Sequence, residues 1–336
     1  MPTATGGSYP TLASLKNLFP EGKYSAPIEL LSQTNGILEY MPVFEGNLDT
    51  GERTTIRTGV PQGTWRKFNQ GTQPVNADES QVEFRCGMLQ TRMIADVRLV
   101  SMASDPGAYR ADRLRIAMEG LNQKLAYSMF YESETTTPEA ITGLGAYYNT
   151  TNTSTANSAE NVIDAGGSGS DNQSIWLIGG GREATSLIYP RRSKAGMNHT
   201  DRGIQRIIDS TGISGAAYEA YEDVIDWDVG VAVRDWTANV RIANIDMSNL
   251  EAGSGADLGA LIRKSQDYVY RHINKLKYFI CMSPRTYRVL NEQRRTDVKN
   301  GGGLNYETVD GKRIAMYDGI PITIVDQLEV NEAQLT

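Results

Sequence analysis

The longest uninterrupted helical pattern in the sequence, from Pro106 to Glu132, constrains the fold more than any other feature. Asp105 is a favourable N-cap, and Pro106 suits the first helical position, where its missing N–H leaves no hydrogen bond unmade. A helix of this length is a rod of about 40 Å. Large apolar side chains recur at three- and four-residue spacing and predict one apolar face: Leu114, Met118, Leu121, Leu125 and Met129. A second apolar set indicates a central helix covered on more than one face: Ile116, Tyr127, Phe130 and Tyr131.

Length and composition restrict the class of protein. The 336 residues suffice for one large domain or two ordinary ones. A hydrophobic content of 40% and a charged content of 22% are typical of globular proteins and argue against disorder. The formal net charge of −7 disfavours a sequence-independent nucleic-acid binder, because such proteins usually present a net basic surface.

Cysteine content and the first residues indicate the compartment. The two cysteines, Cys86 and Cys281, lie far apart and lack metal-ligand spacing, which fits a reducing compartment better than a disulfide scaffold. The first ten residues lack the basic and apolar regions of a signal peptide, and no apolar run approaches the ~20 residues that span a bilayer. We therefore expect a soluble, cytoplasmic protein.

The pattern changes to period two between Glu52 and Met93, which predicts the two arms of a β-hairpin. The connection between the arms, residues 61–80, exceeds the ~12–15 residues usual for a loop inside a compact domain. Tryptophan and arginine are enriched at protein interfaces. We therefore predict that the connection contacts a partner surface, the alternative being a hairpin folded back on its own domain. The predicted contact residues are Trp65, Arg66, Lys67 and Phe68.

The first 27 residues are rich in Gly, Pro, Ser and Thr and contain one short apolar patch. Such a segment is too short to form a stable helix alone. It is either a frayed terminus or an arm that becomes ordered by packing on another surface. The residues of the patch are Leu12, Leu15, Leu18 and Phe19.

The rest of the chain mixes short strands with helices. Residues 135–174 are predicted to be a surface loop or a poorly ordered lobe, and residues 191–222 a mixed polar stretch. Helices are predicted at 257–275 and 284–294, and strands at 94–100, 174–178, 186–189, 229–233, 240–245, 278–282, 314–316 and 320–325. Because strands and helices do not alternate strictly, the predicted fold class is α+β.

One segment resembles a cofactor site. Gly179, Gly180 and Gly181, followed by Arg-Glu-Ala, formally match G-x-G-x-x-A after a predicted strand. A dinucleotide site also requires a helix beginning there and an acidic residue about 20 positions later. Pro190 leaves room for at most two helical turns, so a glycine turn between strands is the favoured interpretation.

Other catalytic and metal-binding patterns are absent from the sequence. His199 and His272 lack a neighbouring ligand at metal-binding spacing, and no Walker A, nucleophile-elbow or H-E-x-x-H motif occurs. The acidic residues Asp223, Asp226 and Asp228 could form a carboxylate pair, although charge runs are usually solvated. We therefore predict no catalytic residues, no metal site and no cofactor.

Several short stretches, taken in order, resemble the major capsid proteins of tailed bacteriophages, and more narrowly the capsid-protein family of short-tailed phages related to epsilon15 and the Bordetella phage. They extend over most of the chain from about residue 28. These stretches are Phe68-Asn-Gln-Gly, Ser174-Ile-Trp-Leu-Ile, Ile188-Tyr-Pro, Ser193-Lys-Ala-Gly, Trp227-Asp-Val-Gly, Val233-Arg-Asp-Trp, Val240-Arg-Ile-Ala-Asn-Ile and Tyr317-Asp-Gly-Ile-Pro-Ile.

The resemblance implies an HK97-type capsid fold with an extended hairpin (the E-loop), a spine helix, a peripheral domain and an axial domain. The implied arrangement is an N-terminal arm at 1–45, the E-loop and leading strands at 46–100, peripheral-domain elements at 101–250 and an axial-like region at 251–336. The peripheral elements include the spine helix at 106–132 and an inserted loop-rich lobe. Strands 229–245 precede the helix at 257–275, which leaves open a permuted connectivity.

The resemblance also implies a function. The chain is expected to assemble into pentamers and hexamers of an icosahedral virion head enclosing double-stranded DNA, and to be built in the host cytoplasm. Expected partners are other copies of the chain, a portal, a decoration protein and the packaged DNA, without a membrane. The alternatives are an encapsulin-like compartment shell and, more distantly, an enzyme that uses the Gly179–Gly181 turn.

Overall fold

The computed structural model describes residues 36–57, 61–72, 74–76, 79–103, 105–208, 217–296, 304–309 and 312–336. Its α-helices are α1 (Ile37–Tyr40), α2 (Val97–Met102), α3 (Pro106–Tyr131), α4 (Leu144–Tyr147), α5 (Met247–Glu251), α6 (Leu258–Tyr268) and α7 (Pro284–Thr296). Its strands are β1 (Val43–Glu45), β2 (Gly51–Arg57), β3 (Glu79–Asp96), β4 (Val162–Asp164), β5 (Asn172–Gly180), β6 (Thr185–Tyr189), β7 (Asn198–Ile208), β8 (Ala217–Val233), β9 (Val240–Asp246), β10 (Lys277–Met282), β11 (Leu304–Val309), β12 (Lys312–Tyr317) and β13 (Ile320–Ile324). Strands and helices are mixed, so the α+β prediction is confirmed.

Two compact units contain the described residues, and three elements run continuously from one unit into the other. The first unit contains Leu89–Asn122 and Met197–Trp227, and the second contains most of the remaining chain. In the first unit, β7 and the beginning of β8 form an antiparallel hairpin. A small apolar cluster surrounds Val100, Ala103 and Tyr109 there.

The second unit is built on a sheet whose central strands are buried on both faces. The main path of the sheet is β11-β12-β13-β10-β5-β6-β8-β3-β2, and β9 also pairs with β5. All nine residues of β5 are buried. A strand covered on both faces reads as a continuous apolar run. One of its faces packs against a large apolar cluster, where Ile175 and Leu177 meet residues of β9, β10, α6 and α7.

On the other face of β5, Trp176 is completely buried. Its ring centroid lies 5.7 Å from that of Phe130 in α3 and 6.0 Å from that of Tyr148, the latter in an edge-to-face arrangement. Aromatic pairs at these distances add to the stabilisation from burial alone. The guanidinium of Arg241 lies over the indole at 4.9 Å, and this arginine forms a buried ion pair of 2.8 Å with Glu332.

The spine-helix prediction is confirmed. Helix α3 begins at Pro106, and the Asp105 carboxylate accepts a hydrogen bond of 3.0 Å from the Ala108 N–H. The predicted apolar face is wrong at its amino-terminal end, because Met118 is 42% exposed whereas Leu125 and Met129 are at most 1% exposed. Apolar periodicity predicts which residues share a face of the helix but not where along the helix a covering element ends.

The later helix starts are also confirmed. Asp257 caps α6 by accepting from the Ala260 N–H at 3.0 Å. Ser283 caps α7 by accepting from the Thr286 N–H at 3.2 Å, and Pro284 is its first residue. Helix α6 ends at Tyr268, earlier than predicted, and turns follow to residue 275.

Two predictions of local structure are wrong, and a third stretch is more regular than its polar composition indicated. The strand predicted at 94–100 ends at Asp96, whose carboxylate caps α2 by accepting from the Arg98 N–H at 2.8 Å. Residues 135–174 are not a surface lobe, because Leu144 and Tyr148 are fully buried and the Tyr148 hydroxyl donates to the Trp236 carbonyl at 2.7 Å. The polar stretch at 191–222 contains β7 and the first part of β8.

Several strands pair with partners that are distant in sequence. β6 touches β5 through one parallel pair, Gly180 with Thr185, and pairs mainly with β8 and β1. β8 and β9 are joined by a short connection but pair with other strands. Pro321, expected at an edge, lies in a strand with partners on both sides, and the pairing with β10 begins at Ile322.

Two predicted features, the short helical piece at 28–31 and the flexible link at 300–303, lie outside the described residues. Within those described, no helix is both long and apolar enough to cross a bilayer.

Buried tyrosines predict a loss of stability at alkaline pH. Burial raises the pKa of Tyr147 to about 12 and holds the pKa of Tyr148 and Tyr278 above their ordinary value. Unfolding would return these phenols to a pKa of about 10. Because the folded-state pKa is the higher one, we expect these phenols to lower the free energy of unfolding progressively as the pH rises above about 10. Thermal unfolding followed across this pH range by circular dichroism tests the expectation.

Two tyrosine variants provide the comparison. Tyr148→Phe removes one buried phenol, so its stability should fall less steeply with alkaline pH. Tyr270→Phe alters a tyrosine that is 63% exposed and should leave the slope unchanged. Equal slopes in the two variants would contradict the assignment.

Candidate assembly interface

The predicted hairpin is confirmed, and its two arms pair in a single register. β2 and β3 are antiparallel from Gly51 opposite Arg85 to Arg57 opposite Glu79. At the base, Phe84 is 2% exposed and packs with Ile188 and Ala232. The hairpin is therefore attached to the second unit by an apolar contact at its base.

Charged contacts flank this base. The Arg234 guanidinium binds both carboxylate oxygens of Glu52, and both side chains are at most 15% exposed. Arg234 also donates to the Ser186 hydroxyl at 2.7 Å. Bidentate pairing of this kind fixes direction as well as distance. Sequence reasoning missed this pair, because its members are 182 positions apart and no local pattern connects them.

Farther along the hairpin, residues 61–72 form the hairpin tip, and every one of them is exposed. Trp65 and Phe68 are fully exposed, although large apolar side chains usually avoid water. Arg66 and Lys67 lie between them, and the tip contains no acidic residue. The predicted contact residues are therefore four consecutive, exposed aromatic and cationic side chains.

The local turn in the tip is well defined. The Gln70 N–H donates to the Lys67 carbonyl at 3.3 Å, and Asn69 has a positive φ of 61°. Asparagine tolerates this left-handed region better than most residues. Phe68 and Asn69 are the two central residues of this turn. The other predicted contact set, Leu12, Leu15, Leu18 and Phe19, lies outside the described residues.

The glycine turn does not have the geometry of a dinucleotide site. Gly179 and Gly180 end β5, and a short turn leads directly into β6 without a helix. A Cβ on Gly181 would lie 2.6 Å from Leu276 Cδ2, and one on Gly179 would lie 2.9 Å from the Ala238 carbonyl. These glycines allow close packing of the protein on itself, so the interpretation as a glycine turn is confirmed.

The titratable residues singled out in the sequence occupy structural positions. Asp223 is buried, receives hydrogen bonds from Arg110 at 2.9 and 3.0 Å, and lies 3.0 Å from the His199 ring nitrogen. The Gly203 N–H, followed by Arg110, holds the pKa of Asp201 below its ordinary value. His272, expected to be solvated, contacts the Thr237 hydroxyl at 3.0 Å.

The cysteines are protonated thiols, and the described residues contain no metal-binding cluster. Burial raises the pKa of Cys86 to about 12 and also raises that of Cys281, so both remain thiols at neutral pH. No group of three or more His, Cys, Asp or Glu in the described residues is arranged to hold a metal.

Two glutamates of the hairpin predict a clear contrast in stability. Glu52→Ala leaves Arg234 buried without its carboxylate, and we expect a loss of about 3 kcal/mol in the free energy of unfolding. Glu83→Ala removes an exposed pair of 2.8 Å with Arg53 and should cost much less, because water screens the attraction between these two charges. Urea unfolding of the unassembled subunit measures both values, and equal losses would contradict the predicted role of the buried pair.

Comparison with known proteins gives a family and a fold. The family model of the major capsid protein GP7 matches residues 20–336. The bacteriophage epsilon15 structure matches with 29% identity, covers 99% of both chains and has a TM-score of 0.75. No curated protein matches.

Weaker likenesses extend to other shells. The bacteriophage JBD30 capsid has 8% identity, coverage of 89% of this chain and 93% of that one, and a TM-score of 0.47. The SrpI encapsulin of Synechococcus elongatus has 9% identity, coverage of 71% and 97%, and a TM-score of 0.43. With its α+β, HK97-like fold, the chain belongs to the major capsid protein GP7 family.

Proposed function

We propose that this capsid protein assembles into the pentamers and hexamers of an icosahedral head that encloses double-stranded DNA, and that the hairpin tip is an assembly contact. The supporting observation is the complete exposure of Trp65 and Phe68 at the end of a paired hairpin. An aromatic surface of this kind costs free energy in water and gains it when a partner surface covers it.

Ring assembly supplies a physical reason for an extended contact. Copies that form a ring meet head to tail, so a projecting segment of one copy binds a different surface of the next. Pentamers and hexamers differ in the angle between neighbours. We propose that the hairpin absorbs this difference while the buried sheet of the second unit keeps its geometry.

The N-terminal arm is proposed as a second contact. Its apolar patch, Leu12, Leu15, Leu18 and Phe19, would dock on another copy. We also keep as a proposal the division into an arm at 1–45, an E-loop region at 46–100, peripheral elements at 101–250 and an axial-like region at 251–336.

The remaining partners follow from the same proposal. A net charge of −7 suits a shell that must not bind its packaged DNA tightly, because phosphate binding requires clustered cations. We propose contact with the DNA without sequence specificity, together with a portal and a decoration protein. Assembly would take place in the bacterial cytoplasm.

The tip proposal predicts an assembly defect without a folding defect. Trp65→Ala combined with Phe68→Ala removes two side chains that make no buried contact in the free subunit, so the unfolding temperature should be unchanged. The yield of closed shells should fall at least about tenfold, since interface anchors of this type carry a large share of binding energy. Negative-stain electron microscopy and light scattering measure the yield.

A matched control alters two exposed aromatic residues elsewhere. Tyr268 and Tyr270 are 41% and 63% exposed, and replacing both by alanine should leave the yield of shells near normal. Normal shells from the tip variant would overturn the role of the tip.

We also propose that the chain is a structural protein without enzymatic activity or cofactor. The Gly181→Ala variant should fold with little change in thermal stability, because its Cβ would meet only the end of the flexible Leu276 side chain, which can move aside. Millimolar NAD should shift the unfolding temperature of neither the original chain nor the variant. A rise in the unfolding temperature of the original chain alone would revive the cofactor interpretation.

A further inference from the structure

An open cavity of about 510 Å³ lies in the second unit among α1, α7 and strands β11–β13. This volume is within the ~300–1,000 Å³ of pockets that hold drug-sized ligands. The walls combine aliphatic and aromatic side chains with polar groups. The lining residues include Glu39, Tyr40, Tyr306, Ile314, Ile322 and Thr323. The site described above does not include this cavity.

Two polar groups of the lining residues, a hydroxyl and a carboxylate, favour a partner that carries hydrogen-bond donors. The Thr323 side chain is 4% exposed, and its hydroxyl has no hydrogen-bond partner among the described residues. A buried hydroxyl without a partner costs free energy, so a donor that reached it through a small movement of the cavity wall would be stabilised there. Glu39 supplies a carboxylate to the lining, whose described members include no lysine or arginine.

The hairpin tip has the complementary chemistry. The Trp65 indole offers an apolar ring and a single N–H donor, and tryptophan usually finds an acceptor when it becomes buried. Arg66 follows it directly and could pair with a carboxylate while its guanidinium lies over a tyrosine ring, as guanidinium groups often do. The tip has no acidic residue that would repel Glu39.

A hairpin tip that fills the cavity must come from another copy of the chain. Trp65 and Phe68 are fully exposed, so the tip does not occupy the cavity of its own subunit. A head-to-tail contact between copies requires a donor segment and a different acceptor surface on each chain, and the tip and the cavity supply one of each.

We propose that this cavity is the acceptor site for the hairpin tip of a neighbouring copy. The Trp65 ring enters between Ile314 and Ile322, its indole N–H donates to the Thr323 hydroxyl, and Arg66 pairs with Glu39 beside Tyr40. This inference rests on the proposed assembly role of the tip and adds the surface that receives it.

A charge exchange tests the pairing. Arg66→Glu and Glu39→Arg, each made alone in the full chain, should lower the yield of shells about tenfold, because like charges then face each other. The two substitutions in one chain should restore the yield to within about twofold of the original. Glu160→Arg, at an exposed glutamate outside the cavity, should have no effect and should fail to rescue Arg66→Glu.

A disulfide between two different chains tests proximity directly. Chains carrying Thr64→Cys, next to Trp65, are mixed with chains carrying Ala315→Cys, in the cavity lining, and assembled in oxidised glutathione. The two thiols should form a covalent dimer, since a disulfide requires Cα atoms within about 7 Å. Ala252→Cys, at an exposed alanine, replaces Ala315→Cys in the control and should give no dimer.

The outcomes separate the two proposals. Normal shells from the Trp65→Ala and Phe68→Ala variant would overturn both the tip contact and its acceptor site. Loss of shells in that variant, with no rescue by charge exchange and no disulfide, would leave the tip as a contact and overturn the cavity as its acceptor. Rescue together with the covalent dimer supports the assignment.

Discussion

The packing around Trp176 is the interaction on which the second unit depends. The indole lies at the centre of a sheet whose strands are covered on both faces, so it needs partners above the sheet that the strands cannot supply. Phe130 of α3, Tyr148 and the Arg241 guanidinium provide those partners. A close-packed aromatic contact tolerates little displacement, and it therefore fixes the second half of α3 relative to the sheet.

Buried polar groups add direction to this apolar contact. Arg241 is held by Glu332 and by the Ser174 hydroxyl at 3.0 Å, and the Tyr131 hydroxyl donates to the same glutamate at 2.6 Å. One carboxylate near the end of the chain thus joins α3, β5 and β9. Such a network permits few alternative arrangements, because any shift would leave a buried charge unpaired.

The hairpin combines a fixed base with an uncovered end. Phe84 and the Glu52–Arg234 pair hold its base, whereas the residues of the tip are in water. This contrast is consistent with a capsid subunit, in which some apolar surface remains uncovered until another copy arrives. We propose that the cavity among α1, α7 and β11–β13 receives this uncovered end, which would make the contact between identical chains directional.

Local chemistry in the sequence determined the spine helix, the helix caps at Asp105, Asp257 and Ser283, the paired arms of the hairpin and the exposed tip, because each depends on residues close together in the chain. Tertiary structure alone decided which strands distant in sequence are neighbours in the sheet. It also decided that residues 135–174 pack around Tyr148, and where along its length α3 becomes exposed. The physical reason is that these features depend on contacts between distant residues: the apolar side chains of 135–174 have no regular period, and Glu52 meets Arg234 across 182 positions. Such contacts leave no local pattern by which the sequence could reveal them.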